Sequence, residues 1–151
     1  MRIFLDTNIL VELIENRSSA DYVYEIISHC ATDEHQLFIS IGGFYTLTYL
    51  IDRHLKQDGL CNPERLMEVK KILRFILQTC DIANLDKEGL AASLENDNFV
   101  DLEDSYQYQA AKACKADVLL TINIRDFRDV EKDSLPIMTP ATFVAHYMRV
   151  S

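Results

Sequence analysis

The stretch RIFLDTNILVELIEN, residues 2–16, decides the fold class of this chain. Its opening residues, 2–5, form a short apolar run that predicts a buried strand, and the run ends at Asp6. From Thr7 to Asn16 the apolar residues recur at the spacing of one helix face, which predicts a helix. Asp6 therefore stands at a junction where a buried strand passes directly into a helix.

The rest of the chain continues this alternation of strands and helices. Further strands are predicted over 36–41, 80–83, 118–122 and 135–138. Further helices are predicted over 18–31, with Ser19 as the N-cap, and over 44–55, 64–78, 87–94, 102–115 and 140–147. Such alternation implies parallel pairing with right-handed crossovers. We predict an α/β fold, a three-layer α/β/α sandwich with a central parallel sheet, as a single domain over residues 1–151.

Composition narrows the class of protein. The chain has 151 residues, of which 48% are hydrophobic, so it can bury a core and is not a disordered chain. No apolar stretch approaches the roughly 18 residues of a membrane-spanning helix. The run before Asp6 is too short for a signal peptide, so we expect a cytoplasmic protein. The cysteines form no Cys-x-x-Cys pair, and no zinc site is predicted.

The charge of the chain is unusual for a nucleic-acid-binding protein. The net charge is −9, from 24 acidic and 15 basic residues, whereas proteins that bind nucleic acids usually carry an excess of bases. Two explanations remain open at this point. The acidic residues are concentrated where they bind a metal ion, or the chain binds a basic protein partner.

Polar residues cluster at one end of the predicted sheet. In open α/β sheets, ligands bind outside the carboxyl ends of the strands. The residues that follow strands or open the helix before the fourth strand are Asp6, Glu103, Asp104, Thr121, Asn123 and Asp126. Clustered carboxylates repel one another unless a cation neutralises them, and oxygen ligands favour Mg²⁺ or Mn²⁺. A metal held in this way can hydrolyse a phosphodiester.

Each of these acids also has a purely structural interpretation. Asp6 suits the N-cap of the following helix. Glu103 and Asp104 suit the start of a helix, where the dipole favours acids, and Asp126 suits a turn. Only their joint placement favours a functional site.

Three segments together resemble the PIN-domain family. They are the opening RIFLDTNILVELIENR, the stretch DLEDSYQYQAA from 101 to 111, and VLLTINIRDF from 118 to 127 followed by PIMTPATF from 136 to 143. The similarity runs from Met1 to about Val144, in the branch with an xEDxxQY helix before a T-x-N-x-x-D-F turn. It implies an α/β/α sandwich, Mg²⁺- or Mn²⁺-dependent ribonuclease activity, membership of a VapC-like toxin–antitoxin pair with an antitoxin partner, and a possible homodimer.

The resemblance also implies roles for individual residues. Metal ligands would be Asp6, Asp104 and Asp126, and the catalytic residues would be these three with Glu103. Supporting residues would be Asn8, Thr46, Thr121 and Asn123, the last standing where many PIN domains have Asp. One departure concerns Thr46, which stands where most PIN domains carry a Glu, and Glu103 is the residue that could compensate.

The positively charged side chains near these acids are candidates for contacts with RNA. Arg125 and Arg128 flank Asp126 and are predicted to touch the phosphate backbone. A weaker set is Arg53, His54 and Lys56. For both groups a solvated basic surface explains the residues about as well.

Two tyrosines in the helix before the fourth strand are candidates for base stacking. Tyr106 and Tyr108 could stack on bases, but neighbouring helix positions face different ways, so at most one faces the cleft and a core or rim role is favoured.

Two hypotheses about function follow from the sequence. The first hypothesis is a metal-dependent endoribonuclease for single-stranded RNA that acts as a toxin. The alternative is a PIN-fold RNA- or protein-binding module with weak or no nuclease activity, which the missing acid at Thr46 and the negative charge favour.

Overall fold

The computed structural model describes residues 1–32, 35–130 and 135–149. The strands are β1 Arg2–Leu5, β2 Gln36–Ser40, β3 Cys80–Ala83, β4 Val118–Leu120 and β5 Ile137–Met138. The helices are α1 Thr7–Ile14, α2 Ala20–Cys30, α3 Ile41–Gln57, α4 Glu64–Thr79, α5 Lys87–Glu95, α6 Leu102–Ala113 and α7 Pro140–Phe143. A short 3₁₀ helix covers Ile124–Phe127. None of the helices in the described ranges is both long and apolar enough to cross a membrane.

The five strands form one parallel sheet in the order β3-β2-β1-β4-β5. The predicted α/β/α sandwich with a central parallel sheet is confirmed. The chain runs outward from β1 to β3 and then returns to β4 on the other side of β1. The strand order therefore reverses between β1 and β4, and in such sheets this reversal opens a crevice at the carboxyl ends of the strands.

Alternating side chains of the central strands pack into two separate hydrophobic cores, one on each face of the sheet. Ile3 and Leu5 of β1 pack with helices α1 to α4 and α7, while Phe4 between them packs with α6 on the other face. All three of these β1 side chains are almost completely buried. Both faces of the sheet are therefore covered, as an all-parallel sheet requires.

Two predicted helices end earlier than their patterns suggest, for the same reason. Helix α1 ends at Ile14 rather than at Asn16, and α6 ends at Ala113 rather than at Lys115. Asn16 and Lys115 adopt positive φ values of 50° and 56°, which no right-handed helix accommodates. Apolar spacing does not encode this backbone reversal.

Helix α3 begins at Ile41, three residues before its predicted start at residue 44. Two glycines, at positions 42 and 43, interrupt the apolar pattern, so the sequence does not indicate the first turn of this helix. Ser40 caps this helix through its Oγ, which accepts a hydrogen bond of 2.8 Å from the Gly43 N–H. Ser19 lies at the N-cap position of α2 but forms no side-chain cap. Its backbone N–H donates instead to the Glu12 carboxylate at 3.0 Å.

The end of the chain also differs from the prediction in its details. Strand β4 stops at Leu120 instead of residue 122, and β5 is shorter than the predicted 135–138. The final helix changes after Phe143 into a π-helical turn over Val144–Met148. These shorter elements leave irregular backbone beyond the ends of β4 and β5, beside the crevice.

Candidate active site at the strand-order reversal

Asp6 and Thr121 lie side by side at the point where the strand order reverses. Each directly follows one of the two central strands, β1 and β4, and the Asp6 N–H donates to the Leu120 carbonyl at 2.9 Å. The Thr121 hydroxyl donates to Asp6 Oδ2 at 2.8 Å. The parallel register thus brings together two residues that are 115 positions apart.

The Asp6 carboxylate accepts four hydrogen bonds from the surrounding protein. Oδ1 accepts from the Thr7 N–H at 2.8 Å and from Gln107 Nε2 at 3.2 Å, while Oδ2 accepts from Asn8 Nδ2 at 3.2 Å and from Thr121. A carboxylate has about four acceptor positions, so a metal ion bound to Asp6 would take the place of one of these donors. Burial raises the pKa of Asp6, although these hydrogen bonds oppose the rise. Asp6 is therefore a helix cap and a buried acid at once.

Gln107 of α6 is a part of this site that our sequence analysis did not single out. Its side chain is 3% exposed and donates to both Asp6 and the Thr7 hydroxyl, the latter at 2.9 Å. Its Oε1 accepts from the Ser40 hydroxyl at the end of β2. Gln107 thus links the ends of β1 and β2 to α6. The xEDxxQY pattern contained this residue, but a polar residue on a helix carries no local sign of burial.

Gly43 is packed directly against this network, and its neighbour Gly42 is not. A Cβ added at Gly43 would lie 2.8 Å from Thr7 Oγ1 and 3.0 Å from Ser40 Oγ, whereas one added at Gly42 meets nothing within 4 Å. We expect Gly43→Ala to lower the free energy of unfolding by about 1–3 kcal/mol, because the polar network must shift. Gly42→Ala should leave it unchanged or raise it by up to about 1 kcal/mol.

Urea denaturation of the two glycine variants tests this difference. The substitutions are chemically identical and lie in the same helical turn, so their helix-propensity effects are shared. Equal stability of the two variants would contradict the tight packing around Gly43.

A cleft of about 350 Å³ opens at this end of the sheet. Its acidic side chains are Asp6, Glu15, Asp101, Glu103, Asp104 and Asp126, and its basic side chains are Arg17 and Arg53. The predicted residues Asn8, Thr46 and Asn123 also line it. The structure therefore brings all four predicted catalytic residues to one cleft.

Burial and neighbouring negative charges raise the pKa of two acids in the cleft, Asp104 and Glu103. The pKa of Asp104 rises from 3.8 to about 7, first through burial and then through the charges of Asp6, Asp101, Asp126 and Glu103. The pKa of Glu103 is raised by burial and by the charges of Asp101 and Asp6. Within the described ranges, none of the four predicted catalytic acids forms a salt bridge with a Lys, Arg or His. These four carboxylates therefore have no direct ion-pair partner in the described part of the chain.

The arrangement of the acids suits Mg²⁺ better than a metal held wholly by protein. Among residues 1–32, 35–130 and 135–149, no three His, Cys, Asp or Glu side chains are grouped closely enough to ligate one ion. Mg²⁺ is commonly held by one or two carboxylates, with water and substrate phosphate completing its shell. The oxygen-only donors and the mutual repulsion of the acids fit such an ion.

The supporting residues have distinct contacts. Asn8 donates to Asp6, and its Oδ1 accepts from the Ile122 N–H at 3.3 Å, so it joins α1 to the segment after β4. The Asn123 N–H donates to the Thr121 hydroxyl at 3.1 Å, and the Asn123 side chain is exposed in the cleft. Asp101 is the N-cap of α6 and accepts from the Glu103 N–H at 2.8 Å. Asp52, the acid that follows Thr46 in α3, pairs with Arg65 at 3.0 Å.

The basic residues lie at two margins of the cleft. Arg53 and Arg17 line the cleft itself, and Arg17 is paired with Glu15. Arg125 and Arg128 line an adjoining cavity of about 370 Å³ that also contains Asp101, Asp104 and Asp126.

Two of the weaker candidates stand apart from the cleft walls. The His54 ring lies 3.6 Å from Glu15 and 3.4 Å from Asp58, and neither His54 nor Lys56 lines the cleft. Arg53 is therefore the member of that predicted set that the fold brings to the site.

Comparisons with known proteins identify the family. A family model described as PIN domain matches residues 2–125. Comparison with curated protein sequences gives no match. The solved structures that share the fold include VapBC2 from Rickettsia felis bound to a DNA fragment from their promoter and VapBC-1 from nontypeable Haemophilus influenzae. They also include a toxin–antitoxin complex from Klebsiella pneumoniae.

The similarity to these structures extends over most of each chain but is low in sequence. The Rickettsia chain is 19% identical with a TM-score of 0.66, covering 91% of this chain and 97% of that one. The Haemophilus chain is 18% identical with a TM-score of 0.65, covering 93% and 99%. The Klebsiella chain is 20% identical with a TM-score of 0.63, covering 91% and 97%. The family model spans most of the residues from β1 to the 3₁₀ helix, and this chain belongs to the PIN-domain family.

Proposed function

We propose that this protein is a metal-dependent endoribonuclease that hydrolyses phosphodiester bonds in single-stranded RNA. The observation that carries the proposal is the cleft at the strand-order reversal, where Asp6, Glu103, Asp104 and Asp126 lie together and pair with no Lys, Arg or His of the described ranges. A bare cluster of this kind is costly unless a cation is bound. Asp6, Asp104 and Asp126 would be the metal ligands and would hold one or two Mg²⁺ or Mn²⁺ ions, with water completing the shell of each ion.

The residues of the cleft would have different roles in hydrolysis: some hold the metal ion, and others orient the carboxylate of Asp6. A bound Mg²⁺ or Mn²⁺ supplies an activated water and neutralises the phosphoryl oxygens. Asn8, Thr121 and Gln107 hold the Asp6 carboxylate in one orientation through their hydrogen bonds. Without a metal the pKa of Asp104 is about 7, so a cation that binds there would displace its proton near neutral pH.

The substrate is proposed from the charges around the cleft. Arg53 on one margin and Arg125 and Arg128 on another offer contacts to phosphates on either side of the acids. The chain as a whole has a net charge of −9, so these arginines are positive groups in a protein with an excess of acids. RNA would bind at this cleft rather than over a broad basic surface.

We further propose that the protein is the toxin of a VapC-like toxin–antitoxin pair and acts in the cytoplasm. The similar solved structures are named as VapBC or toxin–antitoxin complexes. An antitoxin that presents a basic side chain to the exposed carboxylates of the cleft would block it. The exposed Tyr45 and Tyr49 on α3 are candidates for a homodimer contact.

Cleavage of a short single-stranded RNA in the presence of Mn²⁺, Mg²⁺ or EDTA tests the proposal. We expect cutting with either metal, none with EDTA, and at least a 100-fold loss in Asp6→Asn. Asp21→Asn is the control, because Asp21 is an exposed acid in the first turn of α2. Equal cutting by all three proteins would assign the activity to a contaminant.

One observation favours the alternative, a PIN-fold binding module with little or no nuclease activity. Thr46 lines the cleft where many members of the family carry a Glu, so the site has one acid fewer. Glu103 and Thr46 line the same two cavities, which places Glu103 beside the gap. Calorimetric titration with Mn²⁺ separates the two functions, since no binding at millimolar metal would favour the module.

A further inference from the structure

We propose that an apolar cavity next to the acidic cleft is a subsite for one nucleobase of the RNA, with Tyr106 as the side chain on which the base stacks. The inference rests on the proposed function, because it assumes that RNA phosphates lie in the cleft. It adds a determinant of sequence or base preference.

The cavity lies between the start of α3, the end of β3 and helices α5 and α6. Its volume is about 410 Å³, within the range of about 300–1,000 Å³ typical of small-molecule sites. Gly42, Ala83, Leu85, Leu90 and Tyr106 contribute to its mostly apolar walls. Leu90 is 46% exposed, so apolar surface faces solvent here.

The cavity adjoins the acidic cleft. Thr46 and Glu103 line both spaces, so a group in the cavity would lie next to the acidic cleft. This adjacency is what favours a nucleotide as the occupant. A strand whose phosphate lies in the cleft can place an adjacent base in the cavity.

Tyr106 is free to take part in stacking. Within the described ranges, its ring packs against no other aromatic ring and its hydroxyl has no hydrogen-bond partner. Tyr108, by contrast, is 4% exposed and lies 5.5 Å from Phe99 in the core. The structure therefore distinguishes the two tyrosines: Tyr108 lies in the core, and Tyr106 lines the cavity next to the cleft.

Polar groups at the shared wall would orient the base. The Glu103 carboxylate can accept a hydrogen bond from an exocyclic amino group, as acidic side chains do with cytosine, and the Thr46 hydroxyl can donate or accept. An apolar pocket with a few polar groups at one side is the usual form of base recognition in single-stranded RNA.

The experiment uses RNA oligonucleotides in which one base at a time around the cut site is replaced by an abasic ribose. We expect one abasic position next to the cut phosphate to weaken binding to Asp104→Asn protein by roughly 5- to 100-fold in fluorescence anisotropy. Adding Tyr106→Ala should weaken binding of intact RNA similarly and remove the sensitivity to that abasic position. Tyr106→Phe should retain it, and Tyr24→Ala is the control, since Tyr24 is 65% exposed on α2.

A second variant approaches the cavity from another side. Gly42 lines the cavity, and a Cβ added there meets nothing within 4 Å, so Gly42→Leu adds bulk at a position with open space around the Cβ. It should reproduce the loss of base sensitivity, whereas Gly42→Ala should not.

The outcomes separate the subsite from the nuclease. If wild-type protein cuts intact RNA but no abasic position matters, or if the Tyr106→Ala protein keeps the sensitivity, the subsite is refuted and the nuclease stands. If the wild-type protein cuts no RNA, the proposed function fails. Weaker binding of an antitoxin to Tyr106→Ala with unchanged base sensitivity would assign the cavity to the protein partner and overturn the proposal.

Discussion

Asp104→Asn should abolish metal-dependent RNA cleavage and, at pH 8, make the metal-free protein more stable than the wild type. The two effects have one cause. Burial and the charges of four neighbouring carboxylates together raise the pKa of Asp104 to about 7. A site that needs its negative charge to hold a cation stores repulsion whenever the cation is absent.

The direction of the pH dependence follows from the raised pKa. Between pH 3.8 and about 7, the folded chain retains a proton on Asp104 that the unfolded chain has released. The stability of the metal-free fold therefore falls as the pH rises through this window and is lowest above it. Asparagine cannot ionise, so the free energy of unfolding of the variant does not fall with this titration. The variant should therefore be more stable than the wild type at pH 8 and about equally stable near pH 4.

The expected gain is on the order of 1 kcal/mol after allowance for the partial exposure of Asp104, which corresponds to a melting temperature roughly 2–4 °C higher. Mn²⁺ should raise the melting temperature of the wild type and not that of the variant. Asp21→Asn is the matched control, since Asp21 also lies in the first turn of a helix and any helix-dipole contribution is shared. A lower melting temperature for Asp104→Asn than for the wild type in EDTA at pH 8 would contradict the predicted repulsion.

The position of the site could be predicted from the sequence because it depends on where strands end. Asp6 directly follows an apolar run, and Thr121 follows another, so their placement at one edge of the sheet needed only the parallel topology. The position of Asp104 at this edge could be predicted because Asp104 lies in the first turn of the helix that precedes β4. Strand ends and helix starts are local features, and local patterns report them well.

The parts of the site that could not be predicted depend on three-dimensional packing. Glu15 and Arg17 follow the end of α1 and line the cleft together with Asn8 and Val11 of that helix. Their position in the cleft depends on how α1 packs in the folded chain. The contact of Gly43 with Thr7 requires the exact approach of α3 to α1. The burial of Gln107 depends on the helix and two strand ends meeting, and no spacing in the chain indicates it.

Gln107→Leu should lower the free energy of unfolding by roughly 2–4 kcal/mol, because it removes the partner of three buried polar groups. Asp6 and Thr7 lose a donor, and the Ser40 hydroxyl loses its acceptor. Leucine has a similar size, so the loss is electrostatic rather than a cavity effect. Because Asp6 is also released from one of its four hydrogen bonds, cleavage should fall even at temperatures where the variant is folded.

Gln109→Leu is the matched control for Gln107→Leu. Gln109 lies two positions along the same helix and is half-buried, and no side-chain hydrogen bond links it to the other described residues. Urea denaturation should place its midpoint near that of the wild type, and the midpoint of Gln107→Leu well below it with an unchanged slope.

Gln107→Glu separates the positioning role of Gln107 from its contribution to stability. Glutamate can keep a hydrogen bond with the Ser40 hydroxyl, but it places a second carboxylate against Asp6 in buried surroundings. The variant should be less stable than the wild type in EDTA at pH 8 and should recover more stability on addition of Mn²⁺ than Gln107→Leu, because a cation near Asp6 neutralises the added charge. If Mn²⁺ raises the melting temperatures of Gln107→Glu and Gln107→Leu equally, the cation does not bind beside Asp6. Asp6 would then be a helix cap and a structural acid, and the metal would have to be held by Asp104 and Asp126 alone.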